Sequence, residues 1–152
     1  MASTTHTKIT DALSPMMFLK NEKFCAEVSV NFCELNESSG AVGASVGDVV
    51  QVVPTMKGLL VTDVTCRVDV PTGQTGHVDI GDVSDANGYN NAYEPSAAAG
   101  TKEKSLEATD PYGVGRLYTS NDLTINLSIL TSTIVSGTFT MIVEGVVLET
   151  YA

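Results

Sequence analysis

Phe24-Cys25-Ala26-Glu27-Val28-Ser29-Val30-Asn31-Phe32-Cys33 decides the fold class. Its even positions are apolar and its odd positions polar or small, the period of a strand with one face in a core and the other in water. The alternation predicts one long strand from Phe24 to Leu35. Cys25 and Cys33 share its outer face, but eight residues at ~3.3 Å each set them about 26 Å apart, too far for a bridge. With Cys66 they make three cysteines, an odd number that is not a disulfide framework.

On the N-terminal side, Ser14-Pro15 precedes Met16-Met17-Phe18-Leu19. Ser as a cap with Pro in the first turn fits a short helix, and the apolar run fits an edge strand equally well. Met1 to Lys8 is polar and reads as a flexible arm, leaving residues 9–152 as one domain. It lacks the apolar stretch of a secretory signal, so a cytosol-like compartment is expected.

On the C-terminal side, Asn36 to Gly47 is small and polar, a loop. Val49-Val50-Gln51-Val52-Val53 reads as a short strand stopped by Pro54. Leu59 to Val70 alternates with mostly even positions apolar, which places Cys66 in the core as a small hydrophobe. Pro71-Thr72-Gly73 and Gly76 then separate it from His77-Val78-Asp79-Ile80, and the two strands make the best hairpin candidate. Residues 82–115 are rich in Gly, Asn, Ala and Pro and form one long loop, with room for a helical turn around Lys102 to Ala108. Arg116-Leu117-Tyr118-Thr119 leads into the alternating run Leu123 to Ile129. The last strand, Thr138 to Glu149, is Val-rich on both parities, as for a strand covered on both faces. It is a candidate partner for the first long strand. Six or more strands with almost no helix make an all-β, single-domain antiparallel β-sandwich, jelly roll or barrel.

The chain has 152 residues, 8 Lys+Arg against 18 Asp+Glu and a formal charge of −10. That balance argues against a nucleic-acid partner, which requires clustered cations. No apolar run approaches the roughly 20 residues of a membrane span.

The sharpest local feature is His77-Val78-Asp79-Ile80-Gly81-Asp82-Val83-Ser84-Asp85-Ala86-Asn87-Gly88-Tyr89. Asp82, Asp85 and Asn87 are calcium candidates, since hard cations take oxygen ligands from flexible loops. An EF-hand aligned on Gly88 fails, because its first ligand would be Val83. The competing reading is turn chemistry, in which Asp and Asn bond their own backbone. His77 with Asp79 and Asp82 would be the only conceivable hydrolytic centre, but alternation sets Asp82 on the opposite face from the other two. No Gly-x-Ser-x-Gly elbow is present, and Gly113-Val114-Gly115 lacks the third glycine of a dinucleotide loop. No catalytic residue, metal or cofactor is expected.

From Val64 to Leu148 the chain resembles the small capsid decoration (cement) and head proteins of tailed bacteriophages. The resemblance lies in a Val-rich strand, Asp79-Ile80-Gly81-Asp82, Asp85-Ala86-Asn87-Gly88-Tyr89 with Ala92, then Tyr118-Thr119-Ser120-Asn121-Asp122-Leu123-Thr124-Ile125-Asn126-Leu127, and Ser136-Gly137 before a closing Val-rich strand. It implies a compact, often trimeric β-domain on the capsid exterior. Such a domain would be made in the host cytoplasm and would tie major capsid protein subunits together, with the N-terminal arm stapling a neighbour. Tyr89, Tyr93 and Tyr112 are the candidate contact residues, since tyrosine offers a large contact area at low entropic cost. Alternatively they cover the thin loop against its own sheet. A phage tail or head-fibre component and a calcium-dependent carbohydrate-binding β-sandwich are the alternative functions.

Overall fold

A computed structural model describes residues 5–7, 22–35, 42–105, 112, 115–121 and 123–148. The strands are β1 (Thr5–Thr7), β2 (Lys23–Asn31), β3 (Val49–Pro54), β4 (Leu59–Val70), β5 (Val78–Gly81), β6 (Asn90–Tyr93), β7 (Lys102–Ser105), β8 (Arg116–Leu117), β9 (Thr124–Ile129) and β10 (Thr138–Val147). One sheet runs β1-β3-β9-β5-β6 and the other β2-β10-β4-β7, with β8 on the flank of β4. The patch Met16–Leu19 lies outside the described residues.

The pairing has a simple logic. β2 pairs with β10, β3 with β9, β4 with β7 and β5 with β6, all antiparallel. These are the rungs of a single long hairpin whose tip is the β5–β6 turn. Rolling that hairpin brings β10 beside β4 and β9 beside β5, which completes the two sheets. Eight strands wound this way form a jelly roll, a two-layer sandwich and not a closed barrel. The first and last long strands therefore pair as the sequence suggested, from Asn31 opposite Thr138 to Lys23 opposite Val146.

Several sequence expectations change. The β4–β5 hairpin does not exist, because in a rolled hairpin consecutive strands other than the central two lie in opposite sheets. The segment 71–77 is an arch between layers. β2 stops at Asn31, whose side chain accepts from Cys33 N–H at 3.1 Å and opens a 3-10 turn over Phe32–Glu34. Lys102–Ser105, read as a helical turn, is a strand on the edge of β4. Within the N-terminal arm, Thr5–Thr7 pair in parallel with Val49–Gln51.

Parity also fails once. Thr62 is an extra residue in β4, since Glu144 faces Asp63 while Gly145 faces Val61. Leu59 and Val61 point inward before it, and Val64, Cys66 and Val68 after it. A Cβ on Gly145 would lie 2.3 Å from Leu60 O, so only glycine admits this bulge. On the outer face of β10, Thr138, Ile142 and Val146 are half-buried.

The core lies between the inner faces. Phe24, Val28, Val30, Phe139, Met141 and Val143 meet Val50, Val52, Val78, Ile80, Ile125 and Leu127, all 3 % exposed or less. Asn90 Nδ2 on β6 donates to Glu103 Oε1 on β7 at 2.9 Å, tying the two sheets along one side.

Candidate functional site

The stretch that carries the sequence's acidic motif leaves β5 at Gly81 and folds over one end of the sandwich. Gly81 has no room for a side chain, because a Cβ there would sit 2.0 Å from Asp85 O. That close approach turns Asp82 inward, where its residue is 3 % exposed. Its Oδ1 accepts from Ser84 N–H at 2.8 Å, Asp85 N–H at 3.1 Å and the Tyr112 hydroxyl at 2.9 Å. Its Oδ2 accepts from Arg116 Nε at 3.2 Å. Asp85 closes the next turn, its Oδ1 accepting from Asn87 N–H at 3.3 Å.

The carboxylates of Asp82 and Asp85 are therefore engaged in turn closure and, for Asp82, in an ion pair with Arg116, while Asn87 enters the turn through its backbone N–H. No group of three or more His, Cys, Asp or Glu among the described residues is arranged to hold a metal ion.

Tyr89, Tyr93 and Tyr112, the candidate contact residues, are 0 %, 1 % and 9 % exposed in the single chain, where they belong to its buried core. Tyr112 packs edge-on to Tyr89 with centroids 5.1 Å apart. It also presses on Gly88, where a Cβ would be 2.2 Å from its ring. The Arg116 guanidinium lies 4.7 Å from the Tyr112 centroid and 5.5 Å from that of Tyr118. Tyr89 and Tyr118 share a hydroxyl–hydroxyl bond of 2.8 Å.

Burial, and then the bond to Asp82, push the Tyr112 phenol up to about 12. Burial raises Tyr89 and Tyr118 further. For Arg116, burial opposes the charge, and the Asp82 carboxylate together with Tyr112 and Tyr118 more than offsets it. The cluster ties the end of β5 to β8 on the opposite sheet. Sequence reading missed Arg116 and Tyr118; the available signal was that one of only two arginines in the chain stands between tyrosines.

His77 and Asp79 do separate jobs. His77 Nε2 bonds Glu94 Oε1 at 2.9 Å on the surface. Asp79 Oδ1 accepts from Ala92 N–H at 2.9 Å. That bond holds Ala92 at φ +60°, a left-handed conformation uncommon for alanine, at the irregularity between β5 and β6. The histidine and its two neighbouring aspartates thus converge on no common point.

A shallow groove of about 510 Å³ crosses the outer face of β3 and β9, bordered by Val49, Gln51, Val83, Ala86, Thr124 and Asn126. Among the described residues Asp82 is its one titratable lining residue, already bound by Arg116 and Tyr112.

The outer face of the other sheet carries a polar ladder across β2, β10 and β4. Arg67 Nε donates to Asp69 Oδ1 at 2.7 Å and Arg67 Nη2 lies 3.8 Å from Glu27. The Thr140 hydroxyl donates to Asp69 and shares a 3.0 Å bond with Ser29. Cys25 and Cys33 are exposed, and burial raises the Cys66 thiol far above its ordinary range.

No family model and no curated protein matches this sequence. Solved structures match its fold. A chain of the cyanophage Pam1 capsid asymmetric unit superposes with a TM-score of 0.62 at 18 % identity, covering 88 % of this chain and 90 % of that one. A chain of the capsid of Ralstonia phage GP4 superposes at 0.60 and 13 % identity, covering 90 % and 91 %. The resemblance to phage head proteins drawn from sequence is met by the fold itself: nearly the whole chain adopts the two-sheet sandwich of chains found in two phage capsids.

Proposed function

We propose that this chain is a virion structural protein, a capsid decoration (cement) protein that sits on the outer head lattice and ties major capsid protein subunits together. The observation that carries this reading is the span of the likeness, about nine-tenths of both chains in each of two phage capsids. A domain grafted onto an unrelated enzyme would share only a part. The local chemistry agrees with a protein that acts by adhesion. The buried Asp82 bonds Tyr112 and the half-buried Arg116, and Tyr118 bonds Tyr89, so these groups hold loops in place. The charge of −10 suits a position outside the shell, away from the packaged genome. The proposed assembly is a homotrimer, made in the host cytoplasm and mounted on the capsid exterior.

Mixing the purified protein with capsids that lack decoration tests this directly. The protein should coat the lattice at a fixed stoichiometry and raise the temperature at which the shell ruptures. Binding only to tails or fibres, or no binding to either, overturns the reading.

A further inference from the structure

Of the eight asparagines in the chain, only Asn87 is followed by a glycine. The pair matters chemically, because the backbone nitrogen after an asparagine can attack that asparagine's carboxamide. A glycine, lacking Cβ, leaves the nitrogen open to do so. The structure places the pair in the turn after Asp85, with Ala86 exposed, Asn87 half-buried and Gly88 buried. Asn87 enters the turn through its backbone N–H, and its carboxamide bonds no described residue. The Gly88 N–H is held by one contact, to Asp85 O at 3.2 Å, the long end of the normal range. The electrophile is therefore unrestrained and the nucleophile only loosely tied.

The other side of Gly88 is tight. A Cβ there would lie 2.2 Å from the Tyr112 ring, and Gly88 O accepts from Tyr112 N–H at 3.0 Å. The Tyr112 hydroxyl in turn donates to Asp82. We propose that Asn87 is a site of spontaneous covalent modification in the folded protein, and that its conversion to isoaspartate unlatches Tyr112 from Asp82. The Gly88 nitrogen forms a bond to Asn87 Cγ and gives up its proton. The Cγ–Nδ2 bond breaks, and Nδ2 leaves with that proton as ammonia. Water then opens the cyclic imide. Opening at Cγ gives aspartate, and opening at the main-chain carbonyl carbon gives isoaspartate, whose backbone runs through Cβ and Cγ. Either product adds a carboxylate beside Asp85 to a chain already at −10. Isoaspartate also inserts one backbone atom directly before Gly88, where the chain cannot yield without moving Tyr112. The inference goes beyond the capsid reading and holds whatever the chain binds.

Peptide mapping by mass spectrometry tests it, on the full, folded chain aged at mildly alkaline pH. The peptide holding Asn87 should convert first among the eight asparagine sites, release ammonia and take label from an isoaspartyl methyltransferase. Asn87→Gln keeps the backbone N–H and enlarges the ring that must close. It should suppress the ammonia release and leave the melting temperature of fresh protein unchanged. The isoaspartate form, separated by anion exchange, should melt below both fresh protein and Asn87→Asp, because that variant adds the charge without the extra backbone atom. Conversion only after unfolding in urea, or another asparagine converting ahead of Asn87, overturns the modification site. An isoaspartate form that melts together with Asn87→Asp overturns the unlatching of Tyr112.

Discussion

The two arginines of this chain make the same kind of contact in two different places. Arg67 meets Asp69 at 2.7 Å on an open sheet face, with both side chains about a third exposed. Arg116 meets Asp82 at the longer distance of 3.2 Å, but the Asp82 side chain is wholly buried. The shorter contact is the weaker one. In water, Coulomb attraction is screened and the entropy of two long side chains opposes it. Where the carboxylate is dry, removing its cation leaves a charge with no solvent to turn to. Burial, and not separation, decides which pair the fold depends on.

Arg116→Leu should produce the largest effect, a loss of about 3 kcal/mol in urea unfolding, because it strands the Asp82 carboxylate inside the protein. Arg67→Leu should leave the urea midpoint almost unmoved and remove whatever small salt dependence the native midpoint shows. Equal losses from the two substitutions would break the comparison.

Alkali should act on the buried end first. Tyr112 has its phenol raised from 10.0 to about 12, so the fold prefers the neutral form. The stability this gives is fully present below pH 10 and drains as pH rises from there towards 12. Thermal melting across that window should fall steeply, and Tyr112→Phe should shallow the fall.

Tyr118→Phe should cost about 1–2 kcal/mol, since it leaves the Tyr89 hydroxyl buried without its partner. Adding Tyr89→Phe should recover part of that loss, and a double-mutant cycle reads the coupling.

The smallest effect belongs to acid. The Thr140 hydroxyl, with Arg67, holds the Asp69 carboxylate below its ordinary value. Its contribution is present above the usual carboxylate range and disappears as pH falls through that lowered value. Thr140→Val should move the acid end of the stability profile towards neutral pH by a small margin.

The strands were legible because their period was. β2, β9 and the second half of β4 alternate cleanly, and each has its apolar face in the core. The first and last strands could be named as candidate partners because both are long, and the structure pairs them. What alternation cannot convey is which layer a strand joins. Seven residues between β4 and β5 look like a hairpin turn, and the same spacing serves an arch between sheets. The bulge at Thr62 was equally hidden, because nothing at that position marks it; the glycine that permits it is Gly145, 83 residues later on another strand.

The site was harder to read for a related reason. Asp82 and Arg116 are separated by 34 positions, and their meeting is a product of the fold. The Gly- and Ala-rich composition of 82–115 suggested an exposed loop, which made its tyrosines look like contact residues. Two short strands, β6 and β7, run through that stretch and turn Tyr89 and Tyr93 inward. The calcium candidates at least belonged to the right loop, and their spacing encoded its turns.

The rolled hairpin also dictates when this protein can finish folding. β2 is the first long strand to leave the ribosome and its only described neighbour, β10, is the last, with more than a hundred residues between them. At roughly 5–20 residues per second, the nine residues of β2 wait on the order of ten seconds for a mate. The inner rungs, β5 with β6 and β4 with β7, are complete well before the outer one, so the roll closes from its tip towards its ends. A nascent chain stalled before Thr138 would therefore present an unpaired β2 edge, the segment of this protein most prone to seize a neighbouring chain during synthesis.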